Sequence, residues 1–439
     1  MKVLWLCNRI LDDEDGGATG GTWLGAMARG LLDSGAIELG IIGTASVDQF
    51  TRADYGQMPQ WLVPGNTPKG RDGLPCASLV QKISDAASQF RPDLVHVWGT
   101  EGCWGLLTAR GLLPFPALLE MQGLKLAIAE VFYGGLAPLQ LVQCIGIKEV
   151  LKRRTLYDER RDYERWGRME REMIQGHRFI STQSPWMAAQ VQTINPGAHL
   201  FKSDRALRTE FEHAPPWQWA AQPVVFTTSA YPSPFKGVHL AIQAVAALRQ
   251  HCPGVRVRIA GPYQRCGIRQ EGYVRWLNGL VRKAGMEAQV EWLGPLSASQ
   301  SVQELQSAGS VLIPSFVESY CVAMVEAMRI GAPIVAAFSG GTAHLGRDEE
   351  TCLFFPPGDE AMCTYQLERV LTDQELALRL SRESRKTATL RNDRQRIIQQ
   401  QLETYRQVAR NSSKDISAVP ESGTPGKLRS PAPCNNSLP

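Results

Sequence analysis

This 439-residue chain has no Cys-x-x-Cys pair, no unbroken apolar run of membrane-spanning length and little excess of either charge. Its ten cysteines are scattered, at 7, 76, 103, 144, 252, 266, 321, 352, 363 and 434, and none of their spacings matches a structural zinc site. They read as reduced, mostly buried thiols of a cytoplasmic protein, and no metal centre is expected. Lysine and arginine (47) against aspartate and glutamate (43) leave a formal charge of +4, too weak a field to imply a nucleic-acid partner. The nearest approach to a membrane span, residues 127–146, is interrupted by Glu130, Gly134, Gly135, Pro138, Gln140 and Gln143. The opening Met-Lys-Val-Leu-Trp-Leu-Cys-Asn turns polar too soon for a secretion signal and reads as a first strand.

A dinucleotide fingerprint is also missing. Gly16-Gly17-Ala18-Thr19-Gly20-Gly21-Thr22 follows the first strand and opens a helix, but fits G-x-G-x-x-G at no register. Asp12, Asp13, Glu14 and Asp15 just before it would repel a pyrophosphate, which disfavours a nicotinamide oxidoreductase.

What is present is a hydrophobic content of 44%, enough for two or three cored domains. Short apolar runs alternate with helical patterns throughout, the signature of parallel α/β architecture. Strands are expected at 3–7, 39–44, 94–98, 117–121 and 178–182, with a long charged helical region over 147–175. Residues 206–222 contain Pro215-Pro216 and no clean period, and read as an interdomain linker. The alternation restarts at 224. The expected organisation is a first α/β domain over 1–205, a second over 223–392, a closing helix over 393–410 and a disordered tail over 411–439.

The most informative stretch is 311–336. An apolar strand, Val311–Ile313, ends at Pro314-Ser315; a polar turn carries Glu318; a helix begins near Tyr320 with Glu326 on its early turns; Gly331 and Pro333 stop it before strand resumes. Two carboxylates flanking a helix N-terminus suit a sugar nucleotide, because free N–H groups and the dipole hold a diphosphate while the acids accept from hydroxyls. Pro314, Ser315, Glu318, Glu326, Ala327, Gly331 and Pro333 together resemble the E-x7-E signature of retaining glycosyltransferases of the GT-B fold, above all family 4.

The resemblance implies two doubly wound Rossmann-like domains facing a central cleft. It implies a retaining, metal-independent transfer of a sugar from a UDP- or GDP-linked donor to a glycan or lipid-linked acceptor, in polysaccharide biosynthesis, without a cofactor. Glu318 would face the donor sugar and Glu326 the ribose. Lys236-Gly237 resembles the Lys-Gly that grips the diphosphate, although the arginine that usually precedes is replaced by Ser229-Ala230. Lys236, the N–H groups of Ser319, Tyr320, Cys321 and Val322, and the helix dipole would stabilise the leaving diphosphate. Gly20-Gly21, Gly261 and Gly294 match places where relatives bring backbone against the donor.

Gln122, in Gln-Gly-Leu, stands where many relatives have a histidine beside the transferred sugar. That tripeptide and Arg165-Trp166-Gly167-Arg168-Met169-Glu170 resemble a subgroup acting on polysaccharide intermediates. His96 reads as a core histidine. The charged stretch 148–172, with Tyr157, Tyr163 and Trp166 interleaved, fits either a salt-bridged helix or peripheral association with an anionic membrane. Gln122 and the absent arginine keep two alternatives open: a catalytically impaired sugar-nucleotide-binding protein, and a sugar-nucleotide epimerase of the same fold.

Overall fold

A computed structural model describes residues 1–11, 23–56, 58–219, 223–263 and 271–417. The first lobe is an eight-stranded sheet of β1 (Lys2–Cys7), β2 (Glu38–Ala45), β3 (Thr51–Tyr55), β4 (Met58–Pro64), β5 (Leu94–Trp98), β6 (Ala117–Glu120), β7 (Phe179–Thr182) and β8 (His199–Lys202). Its order is β3-β4-β2-β1-β5-β6-β7-β8. All neighbours are parallel except β3, which folds back on β4 as a hairpin that the apolar pattern does not announce, since four of its five residues are exposed.

The second lobe has six parallel strands, β9 (Val224–Thr228), β10 (Arg256–Ala260), β11 (Val290–Gly294), β12 (Ser310–Ile313), β13 (Ile334–Ala337) and β14 (Leu353–Phe355). They are ordered β11-β10-β9-β12-β13-β14. Helices cover both faces, so β1, β12 and β13 read as near-continuous apolar runs with every residue, or all but the first, buried. In each sheet the chain order reverses beside the founding strand, β1 against β5 and β9 against β12. Ligands bind such sheets at the strand carboxyl ends beside that reversal.

The E-x7-E segment folds as β12, a turn, the helix Val322–Ile330 and β13. The helix starts two residues later than expected, because Cys321 takes a left-handed conformation (φ 60°) as its N-cap; Gly331 (φ 85°) closes it.

The connection at 206–222 is not loose where it is described. Phe211 is fully buried, Trp217 Nε1 donates to the Ala308 carbonyl at 2.7 Å, and a short helix, Thr209–His213, lies within it. The charged region over 147–175 is two helices, Ile147–Leu151 and Leu156–Gly176, broken at Arg153 (φ 50°). The last helix, Arg394–Ser417, passes the expected stop at 410, and the expected tail from 418 on lies outside the described residues. This helix crosses to the first lobe, where the Tyr405 hydroxyl bonds Trp5 Nε1 (3.0 Å) and His96 Nδ1 (2.8 Å). His96 is fully buried, and burial lowers its pKa, so it is a neutral core residue.

Candidate functional site

A cavity of about 400 Å³ opens at the second lobe's order reversal. Its floor is the carboxyl ends of β9 (Thr228, Ser229, Ala230) and β12 (Ile313, Pro314, Ser315); its walls include Lys236, Glu318, Cys321, Val322, Ala323 and Glu326. Trp23, from the start of a first-lobe helix, and Arg208, from the connection between the lobes, complete it.

Two ion pairs dominate this space. Lys236 Nζ lies 2.6 Å from Glu318 Oε1, with side chains 19% and 14% exposed. Burial alone would lower the Lys236 ammonium, but the charge and hydrogen bond of Glu318 outweigh it and hold the pKa above its ordinary value. Arg208 donates to Glu326 Oε1 from Nε (3.0 Å) and Nη2 (2.7 Å). Burial pushes the Glu326 carboxyl up, and Arg208 offsets part of that shift. Both carboxylates thus sit in poorly solvated surroundings with a cation in hand.

Local backbone explains why the side chains meet. Lys236 ends a single 3-10 turn, Pro234–Lys236. Gly237 follows at φ 71°, where a Cβ would fall 2.1 Å from the Pro314 carbonyl oxygen, so the Lys236 loop can press against the end of β12 only with glycine there. The Gly340-Gly341 turn supports the acid from behind: Gly341 N–H donates to the Glu318 carbonyl at 2.6 Å. Val322 and Ala323 bring the first turn of the signature helix to the wall, and first-turn N–H groups have no intrahelical acceptor.

The structure therefore gathers Lys236, Glu318, Cys321, Val322 and Glu326 into one cavity. Burial pushes the Cys321 thiol up, so it stays protonated and is no nucleophile. Ser319 and Tyr320 are on the same loop but not on the cavity wall. The Ser319 carbonyl accepts from the first-lobe Ser184 hydroxyl at 3.1 Å, and the buried Tyr320 hydroxyl faces Asn392 Nδ2 at 3.4 Å. Gly261 and Gly294 stand at the ends of β10 and β11, joined by a 2.8 Å hydrogen bond from Gly261 N–H to the Gly294 carbonyl. At Gly261 (φ 128°) a Cβ would lie 2.1 Å from the Ser229 carbonyl oxygen, a packing reason for glycine independent of any ligand.

Gln122 is a first-lobe residue, packed beyond β6 against Gly99, where Glu101 also lies, and it does not line the cavity. Glu101 Oε2 is buried without a hydrogen-bond partner. Gly20 and Gly21 lie outside the described residues. Among the described residues no group of three His, Cys, Asp or Glu side chains is arranged to hold a metal ion.

Sequence reasoning missed Trp23 and Arg208. Arg208 reaches a partner 118 positions away, and nothing local marks it. Trp23 is held by Arg205, whose guanidinium lies 3.6 Å from its ring centroid, and by Trp98 at 5.1 Å. For Trp23 the available signal was a tryptophan directly after a glycine-rich stretch of sequence.

Residues 211–387 match the family model described as glycosyl transferases group 1. Among curated relatives, a D-inositol 3-phosphate glycosyltransferase of Saccharomonospora viridis is 30% identical over 202 residues, 45% of this chain and 46% of that protein. A glycogen synthase of Mycobacterium tuberculosis is 29% identical over 170 residues, 39% of each chain. The chain matches less than half the length of these relatives. Among solved structures, sucrose-phosphate synthase from Thermosynechococcus elongatus superposes with a TM-score of 0.69 at 15% identity, over 94% of this chain and all of that one. Anabaena HepE in complex with UDP-glucose superposes at 0.59 and 17% identity, over 94% of this chain and all of that one. Residues 211–387 are a glycosyl transferases group 1 domain, and the chain carrying it has the GT-B fold.

Proposed function

We propose that the chain is a retaining glycosyltransferase that moves a hexose-type sugar from a UDP- or GDP-linked donor to a glycan or lipid-linked acceptor of polysaccharide biosynthesis. One observation carries the reading: Lys236–Glu318 and Arg208–Glu326 face a single cavity at the order reversal of a parallel sheet. Lys236 and the first-turn N–H groups of the signature helix hold the diphosphate, and Arg208 supplies the second cation absent at Ser229-Ala230. That set performs by fixed charges the neutralisation a metal provides elsewhere. Glu326 accepts from the ribose hydroxyls and Glu318 orients the sugar.

In the reaction the bond from the anomeric carbon to the phosphate oxygen breaks, and its electron pair leaves with the nucleoside diphosphate. The acceptor oxygen bonds the same face of that carbon, and its proton passes to the leaving phosphate oxygen. Glu318 lies where a carboxylate offsets the developing positive charge of the ring. Gln122 and Glu101, on the first lobe, belong to the acceptor side. A lipid-linked acceptor also brings the chain to a membrane surface, and among the described residues no helix is long and apolar enough to cross one.

The test is a thermal-shift panel of nucleotide sugars, UDP-hexoses first, since a ligand that binds only the folded state raises the melting temperature. The best donor should lose its shift in Glu326→Ala. An undiminished shift in that variant overturns the ribose role. A wild-type shift without transfer to any acceptor favours the impaired-binder alternative.

A further inference from the structure

Five large aliphatic side chains point outward within thirteen residues: Leu139 (70% exposed), Val142 (56%), Ile147 (82%), Val150 (57%) and Leu151 (79%). Among the described residues only three other large apolar side chains are as exposed, Tyr231, Phe338 and Leu390, and they are far apart in the sequence. The five sit on two short helices, Pro138–Gln143 and Ile147–Leu151, whose inner faces are fixed by buried Leu141, Cys144 and Glu149. The outward orientation is therefore set by packing. An aliphatic cluster of this density on a folded surface marks a contact site.

Charge identifies the partner. Lys152, Arg153 and Arg154 follow the second helix and are exposed. The acid inside that stretch, Glu149, is turned inward with its carboxylate 3.8 Å from Arg275. Further on, Glu159 interacts with Arg154 and Asp158 with Arg153, which leaves Lys152 the least neutralised of the three. Asp158 also closes a capping box on Thr155, and Asp162 and Glu164 lie 3.4 and 3.2 Å from Arg165 and Arg160. The sequence leaves the stretch 148–172, with Tyr157, Tyr163 and Trp166, as either a salt-bridged helix or a membrane-facing surface; the structure turns two of those aromatics inward. Trp166 Nε1 donates to the Thr100 carbonyl at 2.6 Å, and Tyr163 packs 5.2 Å from the Phe132 ring. The exposed apolar residues lie just before that helix.

We propose that the helices Pro138–Gln143 and Ile147–Leu151, with Lys152, Arg153 and Arg154, dock on an anionic phospholipid bilayer. Aliphatic side chains enter the acyl boundary while the cations meet lipid phosphates. A second copy fits this patch less well: a twofold partner would set the same three cations against themselves, and five side chains fall short of the roughly 800 Å² per partner of a stable interface. The patch is tied to the donor lobe, because Trp276 Nε1 donates to Gln143 Oε1 at 3.1 Å and the Gly134 carbonyl accepts from His239 Nε2 at 2.9 Å. Docking would thus hold the interlobe seam beside the bilayer. Resting on the transfer reading above, this makes the acceptor a lipid-linked glycan.

The test is co-sedimentation of the full chain, without nucleotide sugar, on phosphatidylcholine vesicles with and without phosphatidylglycerol. Binding should require phosphatidylglycerol and weaken with salt. Lys152→Ala with Arg154→Ala should lower partitioning about 25-fold, roughly fivefold per charge. Ile147→Ser with Leu151→Ser should lower it at least about tenfold, and such exposed positions leave the melting temperature unchanged. Equal binding to pure phosphatidylcholine, or none to either vesicle, overturns the proposal; so does a dimer in sedimentation velocity that the serine variant splits. Lost vesicle binding with a donor shift intact removes the surface and spares the transfer reading. Vesicle binding without any donor shift does the reverse.

Discussion

Glu120–Arg205 in the first lobe and Glu326–Arg208 in the second are the same residue types, and both arginines come from one short stretch between the lobes. Their surroundings differ. The Glu120 and Arg205 side chains are 1% and 6% exposed, against 12% and 16% for Glu326 and Arg208. Glu120 also accepts from the Ser203 hydroxyl at 2.5 Å and from the Gln183 amide, and the Arg205 guanidinium is covered by Trp23. Its neighbours are all protein. The Glu326 pair faces a cavity with Lys236 and Glu318. Sealed, the pair fixes architecture; opened to a cleft, it can exchange protein partners for ligand.

The largest expected effect sharpens the open side. Lys236→Ala should lower turnover by about 100- to 1000-fold, the loss typical of one preorganised charge at a developing anion. Initial-rate measurements at saturating donor check it; turnover within about threefold of wild type would break the assignment of the diphosphate to this lysine.

Next comes the direct contrast between the arginines. Arg205→Ala strips the buried Glu120 of its cation and should cost about 3–5 kcal/mol of stability. Arg208→Ala should cost little stability but weaken donor binding about tenfold, as the loss of one partly screened charge pair allows. Urea unfolding and donor titration on both variants separate the two. Equal losses of stability would mean that the cavity pair is architectural as well.

Legibility in the sequence follows the same division. In the second lobe, Glu318, Glu326, Gly331 and Pro333 lie on one strand–turn–helix–strand unit, so spacing along the chain is spacing in the cavity. Lys236 is far off in sequence, yet its Gly237 is demanded by a close backbone approach and leaves a readable trace. The parallel sheets were legible because strands covered on both faces are continuous apolar words. The β3–β4 hairpin was not, since Thr51–Tyr55 is exposed and polar. Arg208 was invisible as a site residue because contacts across the lobe seam have no period. The break at Arg153 escaped because helical propensity runs through it, while a left-handed residue there turns the chain.

The smallest expected effect concerns a third buried carboxylate and tests whether a cation is what separates architectural acids from strained ones. Glu170, 1% exposed, accepts from the Thr100 hydroxyl (2.6 Å) and the Lys125 N–H (2.7 Å). Burial lifts its pKa to about 7, these bonds offset part of the shift, and the nearby Glu101 charge adds to it. Glu120, equally buried, is held below its ordinary value: burial would raise it, but His96, Arg205 and Ser203 together prevail. The signs are opposite. Between the unfolded pKa and about 7 the native state holds a proton on Glu170 that the unfolded chain has released, so stability falls as pH rises through that window. The fall from this one group is at most about 3.5 kcal/mol, from roughly 1.4 kcal/mol per pKa unit. Glu120 acts the other way, its contribution present above the unfolded pKa and lost as pH falls through its lowered folded value. Glu170→Gln should therefore flatten the decline in melting temperature between about pH 5 and 8 and lie above wild type at the alkaline end. A variant that keeps the wild-type slope would show that Glu170 is ionised at little cost, and that two neutral donors suffice where Glu120 has a cation.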